Sequence, residues 1–362
     1  MNPHAATHPD QAHPSAGAAP PDPRSRPPLA PALGPLAAPA GDLLAPLYAA
    51  AVRARNKRFD RGRHVQRVHA PVISVGNLSV GGTGKTPMVA YLADLLRQLG
   101  RSPGIAMRGY KAKPGEKSDE QLEHEAALPG VPVEADPLRA DAARRLIERR
   151  AADAVLLDDG FQHRKLHRDL DIVLIDATRD PFVDKLLPAG WLREPVESLA
   201  RAHVVVVTRV DAVTPAAVER LARRVRKCNE RAVIAAAAHQ WAAFMVGHER
   251  QPLDAFRTLD AVAALGIGHP AAFLHTAAAH SLNVTRAVVK PDHHHWTADE
   301  ARHLIDSLTP GARLLTTEKD WVKLARLIPK SDHWQVLRPQ LRLTIKDGEA
   351  RLRSAIERAL EP

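Results

Sequence analysis

An α/β protein is what this sequence predicts: a mostly parallel sheet sandwiched by helices, with a second, smaller α/β domain. Three observations carry that expectation. Short runs rich in Val, Ile and Leu recur as continuous apolar stretches, the pattern of strands covered on both faces. Helical stretches such as PLRADAARRLIERR separate some of them, which is the alternation of a parallel sheet. The chain has 362 residues, 45% hydrophobic and 25% charged, more than the roughly 100–200 residues of one domain.

Residues 1–41 are dominated by Pro and Ala without apolar periodicity. Such a stretch cannot bury enough surface to offset its ordering entropy, so a disordered tail is expected. Its prolines also interrupt the apolar core that a signal peptide needs. From 42 to 63 the text DLLAPLYAAAVRARNKRFDRGR sets Leu43, Leu44, Leu47, Ala50, Ala51 and Ala54 at helical spacing, with Pro46 expected in the first turn. Between Arg53 and Arg67 stand seven Lys or Arg residues and one acid, Asp60. Segment 42–68 therefore reads as a basic amphipathic helix, and two readings stand. It packs on the domain with a solvated basic end, or it lies in a membrane interface with segment 53–67 on anionic phospholipid. Each basic residue near such a surface contributes about 1 kcal/mol.

The larger domain that follows is expected over 69–245, with strands at PVISVGN (71–77), GIAM (104–107), DAVLLD (153–158), DIVLID (171–176), HVVVVT (203–208) and AVIAAA (232–237). After the first strand, TPMVAYLADLLRQLG lines up Met88, Leu92, Leu95, Leu96 and Leu99 as one apolar stripe and stops at Gly100. The smaller unit is expected over 255–362, with AVAALGI, NVTRAVV and ARLLTT as its strands.

Lys plus Arg number 51 against 41 Asp plus Glu, a formal charge of +10 that predicts phosphates, nucleic acid or an acidic membrane as company. Aromatic residues are only 4%, and Phe59 is the one aromatic of the basic cluster, so base-stacking platforms are missing and no nucleic-acid partner is expected. A single cysteine, Cys228, excludes an intramolecular disulfide and a CxxC metal site and suits a reducing compartment. The apolar runs are a few residues long, against the roughly 18–20 that span a bilayer.

The loop after the first strand, GNLSVGGTGKT from Gly76 to Thr86, has what a nucleotide phosphate chain needs. Small residues at Gly81, Gly82, Thr83 and Gly84 let backbone N–H groups approach the oxygens at an electropositive helix N-terminus. Lys85 reaches the β- and γ-phosphates and Thr86 ligates Mg²⁺. This P-loop carries Ser79 where the usual G-x-x-x-x-G-K-[ST] spacing has glycine. An acid at a neighbouring strand end normally organises the metal; AVLLDDGFQH offers Asp158 and Asp159, and DIVLID offers Asp176 as a rival. His293, His294 and His295 are adjacent and project in different directions, a poor arrangement for zinc.

With GNLSVGGTGKTP and DDGFQHRKLHRD in view, the chain resembles the tetraacyldisaccharide 4′-kinase (lipid A 4′-kinase) family. RGY (108–110), LPAGWLREP (187–195), GIGHP (266–270), PDHH (291–294) and TEKDWVK (317–323) follow in the family's order, over about residues 45–345. The resemblance implies a P-loop NTPase-like domain and a smaller α/β domain with the site between them. It implies a peripheral enzyme of the cytoplasmic face of the bacterial inner membrane, expected as a monomer. That enzyme moves the γ-phosphoryl of ATP, with Mg²⁺, to the 4′-hydroxyl of a tetraacylated disaccharide 1-phosphate.

Carried over by position, Lys85 and Thr86 take the P-loop roles, Asp158 and Asp159 the acidic doublet, Arg193 the arginine of LREP, and Tyr110 the substrate-side tyrosine of RGY. The family's Gly-Asp-Glu-Pro motif is matched by Ser118-Asp119-Glu120-Gln121, where both flanking residues differ. Its Asp119 would act with Asp292-His293 as a catalytic pair, with His294 as the alternative histidine, and Glu120 would face substrate. A sugar hydroxyl must lose its proton as the bond to phosphorus forms, so a carboxylate in reach, tuned by an imidazole, suits the task. Ser118-x-x-Gln121 is also a capping-box pattern, and the two readings are compatible. The rival function is a P-loop regulatory or chaperone NTPase, although Thr208-Arg209-Val210-Asp211 lacks the Asn and Lys of a guanine-reading loop.

Overall fold

The computed structural model describes residues 37–109, 116–268, 270–292 and 294–361. Tyr110 and His293 lie outside the described residues. The strands are β1 (Val72–Asn77), β2 (Pro103–Met107), β3 (Val133–Ala135), β4 (Ala154–Asp158), β5 (Leu170–Asp176), β6 (Val204–Thr208), β7 (Val233–Val246), β8 (Glu249–Gln251), β9 (Asp260–Leu265), β10 (Asn283–Val289), β11 (Arg313–Thr316) and β12 (Val336–Asp347). The helices are α1 (Ala37–Asp60), α2 (Lys85–Gln98), α3 (Asp119–Ala127), α4 (Arg139–Arg150), α5 (Pro215–Cys228), α6 (Pro270–Ala279), α7 (Ala298–Asp306), α8 (Glu318–Leu324) and α9 (Glu349–Ala359).

The strands join one sheet in the order β10-β9-β11-β12-β7-β6-β5-β1-β4-β2-β3, with β8 beside β7. Among the described residues every ladder is parallel except β7 with β12 and β7 with β8. The mostly parallel α/β fold read from the apolar runs is therefore the fold observed. β1, β4, β5 and β6 are buried along their whole length because helices cover both faces. On one face Met88, Leu92 and Leu96 of α2 and Leu352 and Ile356 of α9 meet Ile73, Leu156 and Ile172. On the other, Leu146 of α4 packs with Val155 and Leu157, and Leu221 and Val225 of α5 with Val173 and Val205. Met88, Leu92 and Leu96 are 0% exposed, and burying each contributes about 1.5–3 kcal/mol.

Several expectations change. The helix begins at Ala37, inside the stretch expected to be disordered, because Pro39 falls in the first turn, where no N–H is needed. Pro46 consequently sits inside α1 and not in its first turn. β7 does not stop near 237: beyond its short parallel register with β6 it runs on to Val246 as the antiparallel partner of β12. β12 itself is missing from the sequence reading, since its charged residues and Pro339 break the apolar-run signal. These two strands carry the sheet across the expected boundary near 245. The C-terminal helix α9, expected in the smaller unit, returns to the core under α2. Around β9 and β11, Val262, Trp296, Leu304, Leu314, Trp321 and Leu324 form a separate core.

β1 lies between β4 and β5. The carboxylates that end those two strands, Asp158 and Asp176, thus flank the loop leaving Asn77. In a parallel sheet this crevice beyond the strand ends is where ligands bind.

Candidate active site

The 78–84 loop carries the backbone from β1 into the N-terminus of α2. Gly84 caps that helix with φ +91°, and a side chain there would strike the His239 ring of β7. The first half of the loop is paired: the Val80 N–H donates to Trp191 O at 2.8 Å and the Arg193 N–H to Leu78 O at 2.7 Å. Ser79 faces Leu192 in this short antiparallel bridge. Extended, paired backbone explains why serine serves where the usual motif has glycine. The second half is fastened to the end of β6, where Thr208 Oγ1 donates to Thr83 O at 3.0 Å and Arg209 to Gly82 O at 2.7 Å.

The same pairing aims Arg193 at the acidic doublet. Its Nη1 lies 3.0 and 2.8 Å from the two carboxylate oxygens of Asp159, and Lys85 Nζ lies 3.4 Å from Oδ1. Asp159 has φ +51°, the turn that swings its side chain from the strand end toward the loop. Burial alone would raise its carboxyl pKa, but Lys85 and Arg193 outweigh this and hold it at about 2. Arg193 is itself braced: Tyr48 of α1 donates to its carbonyl at 2.9 Å. Next to it the fully buried Glu194 accepts from Arg201 at 2.7 Å and from Asn56 of α1 at 2.9 Å. Arg201 also stacks 3.8 Å over Phe161.

Asp158 is fixed differently. Its Oδ1 accepts the Asp159 N–H at 2.9 Å, and its Oδ2 stands 2.9 Å from His124 Nε2 of α3. Burial alone would lower the His124 pKa, but the hydrogen bond to Asp158 and the charges of Asp158, Glu123 and Glu120 together outweigh it and the imidazole is raised. The rival acid Asp176 is engaged elsewhere, with Arg209 and with the Thr178 N–H (3.0 Å) and hydroxyl (2.6 Å).

α3 brings the remaining acids. Ser118 caps it by accepting the Gln121 N–H at 3.2 Å, while the Gln121 side chain turns to Glu125, so half of the capping box forms. Glu120 lines the cleft with Lys85 and the doublet, and burial, then Asp158, raises its pKa. Burial pushes Glu123 up to about 7. Asp119, at the first position of α3, lies 3.6 Å from Lys323 of α8. Asp292 accepts from Lys319, also of α8, at 2.7 Å. His294 is turned to Glu300 at 3.1 Å and stands edge-on to Trp296.

The cleft lined by Lys85, Arg193, Asp158, Asp159, Glu120 and Asp292 measures about 3400 Å³. Sequence reasoning missed several of its groups. Arg139 is 6% exposed, and its pKa is lowered by burial and by Arg108. His163 beside it is pushed down to about 4 by burial and the surrounding cations. Arg139 opens α4 in the PLRAD segment, where nothing local sets it apart from the arginines that follow. His239 carries no local signal, because the residues it meets are far away in the chain; the α8 lysines lie within TEKDWVK (317–323), which does not name their partners.

A glycine-rich loop joining a central parallel strand to a helix, with a lysine opening that helix and carboxylates on the next strand end, defines the P-loop nucleotide-binding proteins. Comparison narrows the class. The profile described as Tetraacyldisaccharide-1-P 4'-kinase matches residues 40–361. A tetraacyldisaccharide 4'-kinase of Anaeromyxobacter sp. (strain K) is 39% identical over 337 residues, covering 86% of this chain and 88% of the relative. One of Geobacter sulfurreducens is 37% identical over 308 residues, covering 78% and 84%. A crystal structure of LpxK from Aquifex aeolicus in complex with ATP superposes with a TM-score of 0.70 at 29% identity, over 88% of this chain and 98% of that one. The chain belongs to the tetraacyldisaccharide 4'-kinase family, as the ordered motifs implied.

Proposed function

We propose that this chain transfers the γ-phosphoryl group of ATP to the 4′-hydroxyl of a tetraacyldisaccharide 1-phosphate, working as a peripheral enzyme at the cytoplasmic face of a bacterial inner membrane. The observation that carries the reading is the Lys85–Asp159–Arg193 cluster at the N-terminus of α2, with Glu120 and Asp292 lining the same cleft and Asp119 next to Glu120 at the start of α3. Backbone N–H groups of Gly81 to Thr86 and the Lys85 ammonium take the triphosphate. Arg193 adds a second cation for charge that builds on the transferring group. Asp119 accepts the proton of the 4′-hydroxyl as its oxygen bonds to the γ-phosphorus and the bond to the β–γ bridging oxygen breaks, leaving ADP. Asp292-His293 orients that carboxylate, and Tyr110 and Glu120 face the sugar.

Thr86, Asp158 and Asp159 bring hard oxygen donors, and they fit Mg²⁺. Among the described residues no three His, Cys, Asp or Glu side chains are grouped to hold a metal ion by themselves. Bound there, the ion would neutralise phosphate charge.

Among the described residues no helix is long and apolar enough to cross a membrane. α1 instead divides along its length. Ala49 and Val52 are buried on the domain, whereas Leu43, Leu44 and Leu47 are 76%, 45% and 68% exposed. The apolar end enters the interface and the 53–67 cations face anionic phospholipid, placing the cleft mouth near the lipid substrate. The deciding experiment follows labelled γ-phosphate from Mg·ATP into tetraacyldisaccharide 1-phosphate in detergent micelles. A labelled bisphosphorylated lipid is expected. Steady phosphate release with no labelled lipid would replace this reading by the regulatory NTPase.

A further inference from the structure

The short helix α8 is fixed more firmly than its length suggests. Asp320, 0% exposed, accepts from the Gly266 N–H at 3.0 Å, from Trp296 Nε1 at 3.1 Å and from the capping hydroxyl of Thr317 at 2.9 Å. One carboxylate thus ties α8 to the end of β9 and to the segment after the 291–294 turn. Lys319 and Lys323, four residues apart, leave α8 on one face. Lys319 donates to Asp292 at 2.7 Å, and Lys323 donates to His294 O at 3.1 Å. Both ends of the turn closed by the His294 N–H on Pro291 O are therefore held by the same helix face.

Lys323 does something more. Its side chain is only 9% exposed, and an ammonium so nearly buried is costly without partners. Its two partners come from separate segments: the His294 carbonyl after the turn and, at 3.6 Å, the carboxylate of Asp119 at the start of α3. Asp119 and Glu123 on α3 repeat the four-residue spacing of the two lysines, and Lys319 is one of the charges that act on Glu123. An acidic face of α3 meets a basic face of α8.

We propose that Lys323 is a positioning residue for phosphoryl transfer, one ammonium that sets Asp119 against the turn that carries Asp292 and His294. The inference rests on the reading of Asp119 and that turn as the proton-accepting pair. Lys323 touches neither nucleotide loop nor acidic doublet, so its effect belongs to turnover and not to ATP binding.

The test measures kcat, KM for ATP, ATP affinity and thermal melting for Lys323→Met, Lys323→Arg, Asp119→Asn and the Lys323→Met/Asp119→Asn double variant. Misplacing a reacting group by an ångström costs on the order of 10²-fold, so Lys323→Met is expected to lower kcat about 10- to 100-fold with ATP affinity unchanged. Lys323→Arg, which keeps the charge, recovers part of the rate. The double variant is no slower than Asp119→Asn alone, because Lys323 acts through that carboxylate. Parental kcat in Lys323→Met, a loss confined to ATP affinity, or multiplying losses in the double variant each overturn the assignment. Should Lys323→Met not fold, Lys323→Gln takes its place with the same criteria. Asp119→Asn separates the two levels. If it turns over at the parental rate, the reading of the pair falls and this inference with it. If it is inactive while Lys323→Met is unimpaired, the assignment of Lys323 alone falls.

Discussion

The two walls of the cleft are held by different means. On the wall of β1, the 78–84 loop and β4, each charged group is fixed by backbone pairing or by a neighbour in the same sheet. Arg193 arrives through a two-strand bridge to the loop, and Asp159 through a turn at the strand end. On the opposite wall, Asp119 and Asp292 sit at a helix start and in a turn, with side chains 43% and 45% exposed. Their fixed partners are lysines of α8. The nucleotide wall is thus built before any ligand arrives, whereas the acceptor wall depends on α3 and α8 meeting. Preorganised charge suits the triphosphate, which is the same in every turnover. An assembled wall suits a bulky acceptor that must enter and leave.

Substitution on each wall should separate binding from turnover. Lys85→Ala removes a fixed cation from the phosphate path, and kcat/KM for ATP is expected to fall on the order of 10³-fold together with nucleotide affinity. Asp119→Asn should lower kcat about 10²- to 10⁴-fold while a fluorescent nucleotide binds as in the parent. Equal losses of nucleotide affinity in both variants would break the distinction between the walls.

The brace behind the first wall carries the largest expected stability effect. Glu194→Ala leaves the Arg201 guanidinium without its carboxylate, and breaking such a pair costs about 3–5 kcal/mol. Urea unfolding should show it, and the slower turnover of the folded fraction would report the loosened Arg193. A change under about 1 kcal/mol would mean that stacking on Phe161 holds Arg201 unaided.

These same elements mark what the sequence made legible. The phosphate loop, the doublet and Arg193 are readable because each sits in a contiguous motif whose position at a strand end fixes its direction. Burial on both faces likewise makes β1, β4, β5 and β6 plain as apolar runs. The His124–Asp158 bond, the Lys323–Asp119 pair and the β7–β12 ladder arise only when distant segments meet, and no local spacing announces them. The capping-box pattern at Ser118 was visible, yet it tells only that a helix starts there. That α8 reaches this helix start is a fact of topology.

Acid should weaken the first wall through a group that carries no catalytic role. Burial first, then the Arg209 charge, pushes His239 down to about 4. Its unfolded value is about 6.5, so between those limits the unfolded chain binds a proton that the folded chain refuses. Stability therefore declines as pH falls from about 6.5 toward 4, by up to one proton's slope for this residue. His239→Gln should flatten that part of the pH–stability curve. Asp159 acts lower: held at about 2, it stabilises the fold above the unfolded value of about 3.9 and loses that contribution as pH falls toward 2. An unchanged slope in His239→Gln would show that this imidazole already takes up its proton in the folded state.

The smallest effect on the fold is expected at the exposed apolar end of α1, the part proposed above to enter the interface. Leu43→Ser with Leu47→Ser changes two side chains that are 76% and 68% exposed, so stability should move by no more than about 0.5 kcal/mol per site. Ala49 and Val52, on the buried side of α1, keep the helix on the domain, and Tyr48 keeps its bond to Arg193. Turnover on a substrate dispersed in detergent should therefore be preserved. Sedimentation with vesicles containing anionic phospholipid should fall, because apolar insertion and charge attraction act together at an interface. If vesicle binding survives the double substitution but disappears at high salt, the basic segment alone holds the protein at the surface and the leucines do not insert.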